Sequence, residues 1–267
     1  MSITSAIFKL VKKLPFRLAI IFCQFVIFTY LSFQKQYRKE ILINYQKIFG
    51  AYPPLGIWFW LRLAFRLGNN FGVMVKMGEV NKKILDKTLI YGENILYNYK
   101  KAIIVSFHYG LWELLPQIFQ RLGYKTYIAA SVQADKSLES ELFRYRSQNG
   151  VKLIKTISEM KHCLKQSPPW ADGAKQAKGI LLGFVLDNTR KTKRLCLSEP
   201  YPNFFILRTP FVLAKLAKVP ILSMFCYQRN NQIVVDIDEV KSPAMLGKRL
   251  RNYLKRSPED WIFWGKQ

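Results

Sequence analysis

The stretch Ala102–Phe107, AIIVSF, constrains the fold of this chain more than any other. Its apolar, largely β-branched residues do not alternate with polar ones. A strand with one wet face alternates, whereas a strand without alternation is covered on both faces, as in a parallel or mixed sheet between helix layers. The rest of the chain supplies such a sheet. KTYIAASV (125–132), ILLGFVLD (180–187), VPILSMFCYQ (219–228) and QIVVDIDEV (232–240) read as strands, and KLIKT (152–156) as a short extended piece. Helical patterns lie at LWELLPQIFQRLG (111–123), KSLESELFRYRSQNG (136–150), after residue 157, at TPFVLAKLAK (209–218) and near 243–256. Pro116 falls in the first turns of its helix, where proline is tolerated, and Gly123 sits just past the end. Strand and helix alternate from residue 100 onward. That order predicts an α/β fold with a mixed central sheet flanked by helices.

The N-terminal part differs. Leu18–Gln34, LAIIFCQFVIFTYLSFQ, is seventeen residues without a formal charge. This is near the short limit of a spanning helix, roughly 17–25 residues. Lys9, Lys12, Lys13 and Arg17 precede it, and Lys35, Arg38 and Lys39 follow. Positive charge on both sides sets no orientation. A span, a helix lying in the membrane interface and a core helix of a soluble protein all fit, and a cleaved signal peptide does not. Tyr52–Phe71 mixes Trp58, Phe59, Trp60 and Phe65 with Arg62 and Arg66, the composition of a membrane-surface helix or an amphipathic core helix. Residues 36–50 and 71–88 also read as helices. The division expected is a helical N-terminal portion, 1–90, with its membrane segment near 18–34, followed by an α/β domain, 91–267.

The chain carries 42 Lys and Arg against 17 Asp and Glu, a formal charge of +25. Half its residues are hydrophobic and 15% aromatic, which excludes a disordered polycation. The charge is displayed on a folded body and attracts polyanions: nucleic acid, anionic headgroups or an acidic protein. The aromatics cluster in the apolar N-terminal segments and not along a basic stripe, which argues against nucleic acid. Cys23, Cys163, Cys196 and Cys226 are widely spaced, without a CxxC pair or a Cys/His cluster. They read as reduced thiols in a cytoplasm-facing protein, and no metal site is expected.

SFHYGLWELL (106–115) places one of only two histidines at the end of the AIIVSF strand. Ligands of open α/β sheets bind beyond the carboxyl ends of the strands. Gly110 permits a tight turn. Glu113 follows in the first turn of the next helix, whose dipole complements a negative charge. A carboxylate beside an imidazole selects one tautomer and steadies the imidazolium, leaving the other ring nitrogen to take a proton from an alcohol. The competing reading is a satisfied core histidine with a surface glutamate. No G-x-S-x-G elbow and no P-loop are present. His162, among lysines, reads as a surface or half-buried residue. DNTRKTKR (187–194) is either a solvated loop or an anion-binding rim beside His108.

HYGLWE resembles the H-x4-D/E motif of the lysophospholipid acyltransferase superfamily, in the form H-x-G-N-W-E. More closely, the chain is similar to the bacterial lipid A biosynthesis (late) acyltransferases, over nearly its whole length and with the pieces in order. ILINYQKIF resembles the early Asn-containing helix. KSLESELFRYRSQNGVKLI resembles a segment with an arginine before a short strand, matched better by Arg146 than by Arg144. GILLGFVLDNTRK matches a strand ending in Asp-Gln, here Asp187-Asn188. FVLAKLAKVPILSMF matches a Leu-Ala-rich helix and strand, and SPEDWIFW a closing P-E-Q-W/Y-x-W. Departures are Leu111 for the usual Asn, Ser131-Val132 for Arg-Pro, FFILRTPF before the Leu-Ala helix, and Gly265-Lys266 in place of a His-Arg-Arg-Trp-type tail. The resemblance implies transfer of a fatty acyl chain from an acyl thioester, acyl-acyl carrier protein foremost, to a hydroxyl of an amphipathic lipid such as a lipid A precursor. It implies His108 and Glu113 as catalytic residues, Arg146, Arg144, Asp187, Asn188 and Trp112 as substrate-binding residues, and no metal or cofactor. Backbone N–H groups or Arg146 would stabilise the oxyanion. Expected partners are acyl carrier protein, an anionic or phosphorylated lipid acceptor and the membrane surface, without nucleic acid. The expected place is the inner membrane, with the catalytic domain facing the cytoplasm. A phospholipid, aminolipid or glycolipid acceptor is the alternative within the class. A non-catalytic basic protein binding membrane or nucleic acid is the alternative outside it.

Overall fold

The computed structural model describes residues 3–53, 56–76, 88–129, 140, 143, 146, 147, 150–166, 178–187, 189, 194–230 and 232–262. Helices α1 (Ile3–Lys13), α2 (Phe16–Phe33), α3 (Lys35–Phe49) and α4 (Gly56–Val75) come first. Then follow β1 (Leu89–Tyr91), α5 (Glu93–Tyr97), β2 (Lys101–Ser106), a 3₁₀ turn Trp112–Leu114, α6 (Leu115–Arg121), β3 (Tyr124–Ala129) and β4 (Lys152–Ile154). Next are α7 (Ile157–Lys165), β5 (Gly179–Val185), β6 (Arg194–Leu197), β7 (Phe204–Leu207), α8 (Thr209–Ala217), β8 (Ile221–Arg229), β9 (Gln232–Glu239), α9 (Pro243–Arg256) and a 3₁₀ turn Pro258–Asp260.

Seven strands form one sheet in the order β1-β9-β8-β2-β5-β3-β4. All neighbours are parallel except the β8–β9 hairpin, so the sheet is mixed. The expected α/β architecture is therefore the observed one. β2 lies at its centre, and five of its six residues are buried. Alternate residues feed two cores. Ile103, Val105 and Phe107 pack with Ile180, Leu182 and Phe184 on one face; Ala102 and Ile104 pack with Leu181, Ile118 and Phe119 on the other. That two-sided burial is the physical cause of the unbroken apolar run.

The helical N-terminal portion shares the first of these cores. Ile41 and Tyr45 of α3 and Phe59, Leu63 and Leu67 of α4 belong to the same buried cluster as Val105 and Phe107. α2 lies outside α4. A Cβ on Gly68 would fall against the backbone of Gln24, and one on Gly72 would meet Ile20 Cα at 3.1 Å. The pairing order shows that the two helices are antiparallel, and the small residues at 68 and 72 let their backbones approach. Leu18, Ile21, Phe25 and Phe28 on α2, with Trp58 and Phe65 on α4, remain exposed.

Several expectations differ in detail. The helix after Gly110 begins as the 3₁₀ turn and becomes α-helical only at Leu115. Of the segment expected as helix over 71–88, residues 71–75 close α4, and 77–87 lie outside the described residues. Ser140, Phe143 and Arg146 are helical, and most of the remaining 136–150 segment lies outside. The antiparallel β6–β7 pair was not anticipated: FFIL is a strand, not merely the approach to α8.

Candidate active site

β2 and β5 are parallel neighbours with Ser106 opposite Val185. Two residues past these paired ends stand His108 and Asp187, side by side. His108 Nδ1 lies 2.6 Å from Asp187 Oδ1. The backbone N–H of His108 donates to both carboxylate oxygens, at 3.2 and 3.1 Å. The indole Nε1–H of Trp261 donates to Oδ2 at 2.8 Å. The Asp187 side chain is wholly buried, whereas the imidazole is 17% exposed. A buried carboxylate is tolerated only when donors replace its water, and here an imidazole, an indole and an amide do so. With Nδ1–H directed at Asp187, Nε2 is the basic nitrogen.

Glu113 has a different partner from the one its spacing suggests. The carboxylate bonded to Nδ1 belongs to Asp187, for which the resemblance implies a substrate-binding role. Glu113 instead receives Arg146, whose Nε reaches Oε2 at 3.2 Å and whose second terminal nitrogen reaches Oε1 at 2.6 Å. The reason is the turn. Gly110 adopts φ +58°, and its missing Cβ leaves room for the carbonyl oxygen of Cys226 on β8. Leu111 N–H donates to that same carbonyl at 2.7 Å. The chain thus turns against β8 before Glu113, whereas the sheet itself delivers Asp187 to the ring. Arg146, proposed as an oxyanion donor, is engaged with this carboxylate. Trp112 stands edge-on to the imidazole, with ring centroids 5.1 Å apart. Arg144 and Asn188 lie outside the described residues. So does most of the basic turn 187–194, of which Asp187, Thr189 and Arg194 are described. His162 is exposed on α7.

Trp261, whose indole bonds the Asp187 carboxylate, is not singled out by the sequence. Its segment, 257–262, straps the histidine turn. Asp260 O accepts from Gly110 N–H at 2.8 Å, and Ile262 N–H donates to His108 O at 3.0 Å. Tyr109 OH reaches Tyr253 O and Ser257 O. From the helical portion, Tyr37 OH donates to Ile262 O at 3.0 Å and Arg62 pairs with Glu259 at 3.3 Å. The one available signal was the tryptophan-bearing closing motif, already noted for its resemblance.

His108, Trp112, Glu113 and Arg146 stand together on the wall of a cavity of about 390 Å³. It runs along β2, β5 and β3, and Leu115, Phe119, Ile128, Leu181 and Met160 give most of the remaining lining an apolar character. Burial pushes the Cys163 thiol up to about 11 and raises that of Cys226 well above its ordinary value. Both are therefore protonated at neutral pH and poor nucleophiles. Among the described residues, no group of three or more His, Cys, Asp and Glu side chains is placed to hold a metal ion. The arrangement can withdraw a proton from a hydroxyl presented at the mouth of an apolar cavity.

No protein-family model matches this chain, and no curated protein sequence does. Among solved structures it is similar to the 1-acyl-sn-glycerophosphate (LPA) acyltransferase PlsC from Thermotoga maritima. The identity is 13%, over 92% of this chain and 98% of that one, with a TM-score of 0.38.

Proposed function

We propose that this protein is a lipid acyltransferase, moving a fatty acyl chain from an acyl thioester to a hydroxyl of an amphipathic lipid. The observation that carries the reading is a half-buried imidazole held at 2.6 Å by a buried carboxylate on the wall of an apolar cavity. His108 Nε2 takes the hydroxyl proton as the oxygen attacks the thioester carbonyl. Asp187 keeps the ring oriented and stabilises the imidazolium. The tetrahedral adduct collapses, the C–S bond breaks, and the imidazolium returns the proton to the departing thiolate. An ester and a free thiol result. The acyl chain lies in the cavity, and the Glu113–Arg146 pair forms part of its polar rim.

Acyl-acyl carrier protein is the donor that a +25 surface favours, since the carrier is acidic. A lipid A precursor is the acceptor suggested by the motif order from HYGLWE to SPEDWIFW, with other phosphorylated or glycosylated lipids as the alternative. Among the described residues, one helix, Phe16–Phe33, is long and apolar enough to cross a membrane. It packs along α4, and α4 packs on the catalytic core. That placement supports a helix in the membrane plane, its outward face of Leu18, Ile21, Phe25 and Phe28 in lipid and the flanking lysines on headgroups. The reading puts the enzyme on the cytoplasmic face of the inner membrane.

Mass spectrometry of total lipids from cells with and without the protein tests the proposal. The expected result is one lipid class short of one acyl chain, restored by the wild-type chain and not by His108→Ala. An unchanged lipid profile, or full restoration by His108→Ala, would overturn it.

A further inference from the structure

Gly183 occupies the middle of β5, the strand that ends at Asp187. It is paired on one side with Ile104 of β2 and on the other with Ile128 of β3. Glycine there is unexpected. In a strand interior it costs about 0.5–1 kcal/mol relative to alanine, and β-branched residues are the rule in such a sheet. A glycine so placed marks a bulge, a bend or a close approach of another group.

The backbone does not require it. Gly183 is not in the left-handed region, and its ladder to Ile104 and Ile128 is unbroken. Packing does not require it either. A Cβ at 183 would meet only Tyr127 O, at 3.6 Å, an ordinary contact. Gly179, in the same strand, is the opposite case: its Cβ would stand 2.5 Å from Lys100 O. What lies over Gly183 is the cavity, since Ile104, Ile128 and Gly183 all line it.

We infer that Gly183 is a specificity-determining position for the acyl chain: its missing side chain opens the channel in which the distal part of the chain lies. The inference rests on the proposed acyl transfer. Gly183 stands two residues before Val185, about 7 Å down the strand from its end. Val185 is opposite Ser106, and the imidazole lies two residues further on. Bulk at 183 therefore meets the tail of the chain and not its carbonyl. Ile104 and Ile128 flank the gap and confine an unbranched chain laterally.

The test compares wild type with Gly183→Ala and Gly183→Val, using acyl-acyl carrier proteins that bear saturated chains of graded length. A parallel assay records the thermal midpoint of each protein with free fatty acids of the same lengths, because a ligand that binds only the folded state raises it. The expected result is a graded shift toward shorter chains, Val beyond Ala. The ratio of kcat/KM for the longest chain to a shorter one should fall at least about tenfold in Gly183→Val, within the range that one or a few methylenes command in an apolar pocket. The stabilising fatty acids should shorten in parallel. Folded variants with an unchanged length preference, or with an equal loss for all lengths, would overturn the inference. Should wild type bind fatty acids but transfer no acyl group, the proposed reaction fails, and the binding assay still decides the role of Gly183. Gly183→Ala is expected to fold, since the added methyl has space.

Discussion

His108 and Asp187 form one chemical unit, and the test of that unit is non-additivity. Asp187→Asn leaves the shape of the site and replaces the charged acceptor with an amide. It is expected to lower kcat by about 10²–10⁴-fold, as for other acid-oriented histidines. His108→Ala should fall into the same range, and the double variant should be no slower than His108→Ala alone, because residues acting as a unit do not add. Independent, multiplying losses in single-turnover kinetics would show that Asp187 does not act through the ring. Trp261 contributes one hydrogen bond to the same carboxylate. Trp261→Phe keeps most of the packing and removes the N–H. A denaturant midpoint equivalent to a loss of about 1.5–3 kcal/mol is expected, the usual range for a hydrogen bond to a charged group. A variant as stable as wild type would mean that the carboxylate does not rely on the indole.

The turn that follows β2 gives the site its shape. At φ +58°, a residue other than glycine at 110 carries backbone strain of about 1–3 kcal/mol, and its Cβ would also press on the Cys226 carbonyl. Gly110→Ala is expected to lower the unfolding midpoint and to displace Leu111 from β8, with activity falling further than stability. Hydrogen exchange at the Leu111 amide reports the displacement directly, and an amide as protected as in wild type would contradict it. The strap Ser257–Ile262 closes over the same turn and is itself held by Tyr37 of α3 and Arg62 of α4. α4, which presents part of the exposed apolar face, therefore also braces the histidine turn, together with α3.

Taken as one body, the chain balances a large positive charge against a few buried carboxylates. Burial pushes Asp260 up to about 6 from 3.8; Arg66 pulls it down and Glu259 raises it further. Between pH 4 and 6 the folded protein keeps a proton that the unfolded chain has lost, so this group's contribution to stability grows as pH falls through that window. Above pH 6 it is a penalty, on the order of 3 kcal/mol. Asp260→Asn should therefore raise the thermal midpoint at pH 7 and lose that advantage below pH 4. A difference that does not vary with pH would show that the carboxylate is already compensated. The charge has its own signature. kcat/KM with an acyl carrier protein donor should fall steeply as ionic strength rises, because the screening length shrinks from about 10 Å at 0.1 M to about 3 Å at 1 M. A flat salt response in stopped-flow binding would remove electrostatic capture from the account.

Local pattern was enough for much of this. The unbroken apolar run at 102–107 already required a strand buried on both faces, and β2 is such a strand because two helix-backed cores meet on it. His108 at the end of that strand was legible for the same reason, since chain continuity alone places it there. Its partner was not. Glu113 is near in sequence, but a turn against β8 separates it from the ring, and Arg146 takes it. Asp187 is 79 residues away and reaches the ring because β2 and β5 run parallel in one register. Trp261 and Gly183 tell the same story: their meaning depends on which strand or carboxylate stands opposite. Periodicity records how a segment meets solvent, a local property. Which acid meets which base is a matter of strand order and register, and these arise only when distant segments pack.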